Sequence, residues 1–522
     1  MALRSKKSSR NSAASRRLLG RPGGIIQPRV QKAGPNRFAV IAVDCAKLRC
    51  KWMLCDFYGH VIVEPTSVDC NGHALRAMAL QARAACDQAG IVDSIVAVEM
   101  TGVYHKPVVR AFREADFETR LVHPHASKHY AAVSHPDLKT DDNDLEAIFQ
   151  AACQGFGLLQ PAVDEVYQTL QVYSRHRRNL VQQRGRLQVQ IRALLHQTMP
   201  GYADLFSIDK FFNNSIAIDV ARNFISPQQI VDAGVKVLAE YLKRKQIRFR
   251  KPTLERIVAW AASAATPDSI AQLLHRTWCE LDDLRQKMSA QIEAAEQKMA
   301  EFLAKTPYVL LLSVAGINVV TAAELAGEAG PIELYPNAEA IKGRAGLFPS
   351  RYQSDAVDYN DGAIARHGNR RLRGALMRIA ECLIKHHPQY RGLSEKWKAQ
   401  KVDPRDRRCR VANRAVRMIF QVVSGKQVYQ RRGVDRQYLL SKLLEFHRRH
   451  SSSPEEIAAN LSNVFTWLPK SSYQAEGSAL GDELRKRKRK LQSLGELLIP
   501  LLIRLGVQTE PEVESKTSEA RD

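Results

Sequence analysis

Two stretches of the chain, 165–197 and 270–303, repeat apolar residues at helical spacing over spans that few folds can accommodate. In the first, Val166, Leu170, Tyr173, Val181, Leu187, Ile191 and Leu195 recur with no proline between them. In the second, Leu273, Leu281, Leu284, Met288, Ile292 and Met299 do the same. An amphipathic helix of that length must bury its apolar stripe against a partner. The spacing therefore predicts the two legs of an antiparallel coiled coil over 161–305, with an insert between them and a capacity for assembly. The polar face of the first leg carries Arg175, Arg177, Arg178, Arg184 and Arg186, and the insert carries a basic cluster at 243–251.

Upstream the period changes. Residues 38–43 are a short apolar run rich in β-branched side chains, as a buried strand would be. Runs at 51–57 and 60–64 follow, separated by Tyr58-Gly59, a plausible hairpin. A helix is expected around 74–85, a strand at 94–98, a helix at 103–114 and a strand at 119–122. Three strands in meander, then alternating helices and strands, predict an α/β domain over 37–160.

The flanks are marked by charge. Residues 1–36 hold nine Lys/Arg and no acid, which reads as a disordered basic arm. Residues 306–420 read as a second compact region with glycine at its turns, and 421–522 as a basic helical extension with an acidic tail. The run 485–490 is six successive cations. Across the chain, 78 Lys/Arg against 54 Asp/Glu give a formal net charge of +24. Such an excess opposes compaction and calls for a polyanionic partner, with nucleic acid the first candidate. No apolar run is long enough for a transmembrane helix, and the basic N-terminus lacks the apolar core of a signal peptide. Nine scattered cysteines form no CxxC pair, which argues against structural zinc and suits a reducing cytoplasm.

Four acids stand out by position. Asp44 ends the first expected strand, and Glu99 ends the strand at 94–98. Asp141 and Asp144 are three apart at the start of an expected helix, so they share one face. Asp142 could replace one of them, but the i,i+3 spacing favours the other two. Four convergent carboxylates repel one another, and hard divalent ions with oxygen ligands resolve that repulsion. Two such ions about 3.5–4 Å apart can stabilise both attacking and leaving oxygens at phosphorus. Downstream, Gly368 and Asn369 open a helix beside Arg366, Arg370, Arg371 and Arg373. Guanidinium groups suit phosphoryl oxygens and a helix start offers N–H donors. These residues, with Arg177 and Arg178, are candidate nucleic-acid contacts.

The strand-end Asp44, the motif Val98-Glu99-Met100-Thr101-Gly102-Val103-Tyr104 and the motif Lys139-Thr140-Asp141-Asp142-Asn143-Asp144 resemble the insertion sequence 110 family of transposases, the DEDD type with a RuvC-like domain. The resemblance continues through Ser313–Ala323, Ala345–Pro349, Gln353-Ser354 and Gly368–Arg373, and spans roughly 37–420. It departs from the family at Leu145, Asn318 and Asp355. It implies a ribonuclease-H-like fold for 37–160 and a mostly helical transposase domain for 306–420. It implies that Asp44, Glu99, Asp141 and Asp144 are the catalytic metal ligands, holding two Mg2+ ions. It also implies that Ser354 is the nucleophile that joins DNA covalently, and that a structured RNA guides the choice of donor and target duplex DNA. Strand exchange at two duplexes needs several active sites, so a dimer or tetramer is expected. The setting would be a bacterial cytoplasm, at the nucleoid when DNA is bound. Two other readings stay open. A Holliday-junction-type nuclease would use the same fold with water and no serine. A nucleic-acid-binding scaffold would keep the fold without chemistry.

Overall fold

The computed structural model describes residues 25–134, 138, 140–159, 164–207, 210–267, 269–349, 352–354, 357–359, 362, 364–365, 368–429 and 436–468. The chain divides into two compact units, Met1–Ala162 and Val163–Asp522.

The first unit is built on one mixed sheet. Its elements are α1 (Gln27–Ala33), β1 (Phe38–Cys45), β2 (Arg49–Asp56), β3 (Val61–Asp69), α2 (Gly72–Gln88), β4 (Asp93–Glu99), α3 (His105–Glu114), β5 (Thr119–Val122), α4 (Pro124–Ser134), α5 (Asp141–Cys153) and β6 (Gly157–Leu159). The strand order is β3-β2-β1-β4-β5-β6. Strands β1, β2 and β3 pair antiparallel, β1, β4 and β5 pair parallel, and β6 returns antiparallel on β5. This mixed α/β arrangement is consistent with the expected ribonuclease-H-like domain.

Both faces of the central strands are covered, which is why β1 reads as a continuous apolar run rather than an alternating one. Ala39, Ile41 and Val43 pack with Leu75 and Met78 of α2 and Phe112 of α3. Phe38, Val40 and Ala42 pack on the opposite face with Leu145, Ile148 and Ala152 of α5. Strand side chains alternate, so the even positions of β1 and the odd positions of β4 look toward α5. Ile95 and Ala97 confirm that parity in β4.

The expected basic arm over 1–36 is corrected at its end. Residues 27–33 form α1, where Ile26 and Val30 are buried against the sheet. Arg29, one of the arm's cations, donates to Asp93 at 2.8 Å and to Glu118 at 2.7 Å. An apolar pair and two acids elsewhere in the unit outweigh the local composition. Residues 1–24 lie outside the described residues.

The second unit is helical. Helix α6 (Glu165–Thr198) leads to an insert of α7 (Ser215–Asn223), α8 (Pro227–Arg244) and α9 (Lys251–Ser263), and α10 (Ala271–Ala304) returns. Then come α11 (Val319–Ala329), α12 (Ala338–Ala345), the ribbon β7 (Tyr352–Ser354) and β8 (Val357–Tyr359), α13 (Arg370–His386), α14 (Pro388–Ala399), α15 (Pro404–Ser424), α16 (Arg436–Arg449) and α17 (Pro454–Trp467). Helices α6 and α10 run antiparallel: Tyr173 stacks on Phe302, Arg177 bonds Glu296, and Arg184 bonds Ser289. The insert has its own core, in which Tyr202, Phe211, Leu238 and Trp278 are fully buried with Ile191 and Leu195 of α6.

A larger core runs from Tyr167 and Leu170 of α6 through α11, α13 and α15 to Leu461 and Val464 of α17. The expected break at 420/421 is therefore absent: α15 crosses it, and α16 buries Leu439, Leu440 and Leu443 in the same core. Lys442 of α16 is half-buried, and its side-chain nitrogen donates to the carbonyls of Leu312, Val314 and Ile317 at 2.6–2.8 Å. Composition hides this, because a lysine satisfied by three backbone carbonyls reads as surface charge. Where α11 meets α6, a Cβ on Gly327 would lie 2.7 Å from the Gln171 nitrogen, so only glycine admits this backbone contact. No described helix is long and apolar enough to cross a membrane.

Candidate active site

Asp44 continues the even parity of β1 and faces α5, while Val43 pairs with Val98 and brings Glu99 alongside on β4. Thr140 caps the start of α5, its hydroxyl accepting from the Asn143 N–H at 3.2 Å. Its first turn presents Asp141, Asp142 and Asp144, where acids gain from the N-terminal dipole. Carboxylate oxygens of Asp44, Asp141 and Asp144 lie within 4.8 Å of one another. Asp142 turns elsewhere: the Lys51 ammonium, on β2 opposite Asp44, holds it at 2.7 Å.

Glu99 is outside that close group of three, yet near enough to act on Asp44. Burial pushes the Asp44 carboxyl up from its ordinary value, and the negative charges of Glu99, Asp144 and Asp141 add to it. Glu99 is held by two hydroxyls. Thr101 donates to Oε2 at 2.8 Å, and Ser127 of α4, itself buried, donates to Oε1. Three carboxylates converging within 4.8 Å concentrate negative charge at one point. The donors are all oxygens, which fits a hard divalent ion.

In the second unit, Ser354 is exposed at the end of β7, paired across the ribbon with Val357. The candidate nucleic-acid contacts separate into distinct environments. Asn369 is the N-cap of α13, its side-chain oxygen accepting from the N–H groups of Arg371 and Leu372. Arg373 points inward and donates to the Ala345 carbonyl at 2.9 Å. Arg177 is tied to Glu296, which also bonds His450 at 2.8 Å. Arg370 and Arg371 are exposed, and they line one cleft with Arg178. Arg366 lies outside the described residues, as do Asp355 and the run 485–490. Lys51 and Ser127 carry no sequence signal of their own, since their partners stand far along the chain. Thr101 could have been found in the motif that contains Glu99.

A model of transposases of the DEDD type matches residues 41–200, the stretch that contains all four acids. A second, the Transposase IS116/IS110/IS902 family, matches residues 308–395 and contains Ser354 and the start of α13. The chain belongs to the insertion sequence 110 family of transposases. It is also similar to the "Insertion element IS110 uncharacterized 43.6 kDa protein" of Streptomyces coelicolor, 23% identical over 305 residues, 57% of this chain and 73% of that protein. The acid cluster of this family member and its exposed serine thus fall in separately matched segments. The insert between α6 and α10 lies outside both but for its first few residues.

Proposed function

We propose that the protein cleaves and exchanges duplex DNA strands with Mg2+-bound carboxylates and a serine nucleophile. The observation that carries this reading is the convergence of Asp44, Asp141 and Asp144 within 4.8 Å. These three, with Glu99 beside Asp44, are the residues that would hold Mg2+, in the two-ion manner the family implies. Bound there, the metal supplies Lewis-acid stabilisation of charge on the phosphoryl oxygens. The chain's own part is to hold the acids ready. Strand β1 and the capped start of α5 fix three carboxylates on rigid elements. Ser127 and Thr101 orient Glu99, and Lys51 keeps Asp142 out of the group.

Ser354 is the nucleophile in this reading. Its Oγ forms a bond to phosphorus, the bond from phosphorus to the leaving sugar oxygen breaks, and the serine proton passes to that oxygen. DNA is then held as a phosphoserine ester, and attack by another strand's hydroxyl reverses the step and completes exchange. Ser354 is accessible at the tip of a two-strand ribbon, which supports the role. A structured guide RNA and a dimer or tetramer complete the reading, both drawn from the family resemblance and from the charge of +24.

The test uses plasmid DNA carrying the sequence that flanks this gene, incubated with RNA transcribed from the same region. A Mg2+-dependent covalent protein–DNA adduct is expected from the wild type and from no Ser354→Ala protein. Strand breakage without an adduct would instead favour the water-using nuclease.

A further inference from the structure

A cleft of about 290 Å³ opens among α6, α11 and α13. Helix α6 lends it Arg178, Asn179 and Gln182, and α13 lends Arg370 and Arg371. Two acids of α11, Glu324 and Glu328, also line it, and both are already matched. Arg175 grips Glu328 through two hydrogen bonds of 2.8 and 2.9 Å. Arg378 grips Glu324 the same way. Among the described residues, Arg178, Arg370 and Arg371 are left with no ion-pair partner.

The packing brings these cations together. A Cβ on Gly374 of α13 would sit 3.7 Å from Arg178 Nη1, an ordinary contact that places this α6 guanidinium against α13. Three unmatched guanidiniums on one cleft repel each other until an anion arrives. A carboxylate presents its two oxygens in one plane, whereas a phosphodiester, with the same single charge, presents tetrahedrally arranged oxygens to planar forks arriving from two helices. The amides of Asn179 and Gln182 add neutral donors. The cleft is far too small for a duplex, and it admits one backbone phosphate with its flanking sugars.

We propose that this cleft grips a single internucleotide phosphodiester of a nucleic-acid strand, with Arg178 and Arg370 closing on it from α6 and α13. The inference rests on the proposed action on nucleic acid. Its read-out is binding without Mg2+, so a chain that binds but never cleaves fails the earlier reading and not this one.

The experiment measures anisotropy of labelled single-stranded DNA and RNA oligomers with full-length protein in EDTA, across a salt series. Arg178→Gln and Arg370→Gln should each weaken binding about tenfold and lower the log–log salt slope by about 0.7, the value for one phosphate on a single strand. Because both hold the same phosphate, the double variant should lose much less than the product of the single losses, and its slope should fall no further. Arg178→Lys should keep the slope while losing part of the affinity, which separates loss of the fork from loss of fold. The oligomer type whose binding falls, DNA, RNA or both, is the cleft's occupant. Unchanged binding of both types overturns the proposal. So does a double variant whose slope falls by about 1.4, since the two arginines would then hold separate phosphates.

Discussion

The acid cluster of the first unit and the arginine cleft of the second are each incomplete in opposite senses. In the first, carboxylates of Asp44, Asp141 and Asp144 converge within 4.8 Å, and Lys51 is spent on Asp142. In the second, Glu324 and Glu328 are each matched by a bidentate arginine, and the surplus is positive. A protein that needed only stability would pair such charges internally, because an unmatched buried or half-buried charge costs free energy. The two regions instead gather charges of opposite sign: one is set up to take a cation, the other an anion.

The sharpest way to break this comparison is to remove one group from each unit and ask which function goes. Ser354→Ala should abolish the covalent adduct, a loss of about four orders of magnitude or more. Ser354 is exposed, so melting temperature and metal binding should stay as in the wild type. Asp44→Ala should slow Mg2+-dependent strand cleavage by about three orders of magnitude, several kcal/mol of lost transition-state stabilisation. DNA binding should survive, because the arginines of the second unit are untouched. Quantitative gels for adduct and cleaved strand, with anisotropy for binding, separate the two outcomes. A Ser354→Ala protein that still forms recombinant product at the native rate would remove the nucleophile assignment.

The third prediction concerns pH and the second unit alone. His447 is buried, and burial pushes its pKa down from 6.5 to about 4. Its neutral ring bonds Ser452 at 3.0 Å and Asn460 at 3.3 Å. A depressed histidine pKa gives stability that is complete above about 6.5 and is lost as pH falls toward 4, by about 3 kcal/mol in all. Calorimetry across that window should show the loss, and His447→Gln should flatten it while lowering stability at neutral pH. A wild-type curve with no slope between pH 6.5 and 4 would contradict the buried neutral ring.

How much of this was legible in the sequence depends on how far apart the interacting residues stand. The parity of β1 and β4 is local, so strand-end acids could be matched to a helix start three residues wide. The α6–α10 pair was equally legible, because a long apolar stripe must meet another. The arginines were not. Arg177 and Arg373 looked like Arg178 and Arg370, yet Glu296 stands 119 residues from Arg177, and Arg373 turns to a carbonyl 28 residues away. Charge composition cannot tell a matched guanidinium from a free one. The same limit hid α1, whose Arg29 finds Asp93 and Glu118, and α16, whose Lys442 bonds three backbone carbonyls.

A smaller effect sharpens the comparison from the acid side. Lys51 stands opposite Asp44 in the β1–β2 register, so its charge opposes cation binding. Lys51→Met should tighten Mg2+ binding about fivefold, the scale of about 1 kcal/mol for unit charges a few ångströms apart under water-like screening. The rise of melting temperature with Mg2+ concentration reports it, since a ligand at a hundred times its Kd stabilises by about 2.7 kcal/mol. Weaker binding in that variant would mean that Lys51 supports the acids rather than opposing their metal.

The most direct test of the central claim is a Mn2+ titration followed by electron paramagnetic resonance, with Mn2+ standing in for Mg2+. The wild type should bind the ion tightly at the cluster of Asp44, Asp141 and Asp144, while Asp44→Ala and Asp144→Ala lose that binding and Ser354→Ala keeps it in full. Equal tight binding by the wild type and the two aspartate variants would show that these carboxylates are not a metal centre, and the proposed chemistry would fall with them.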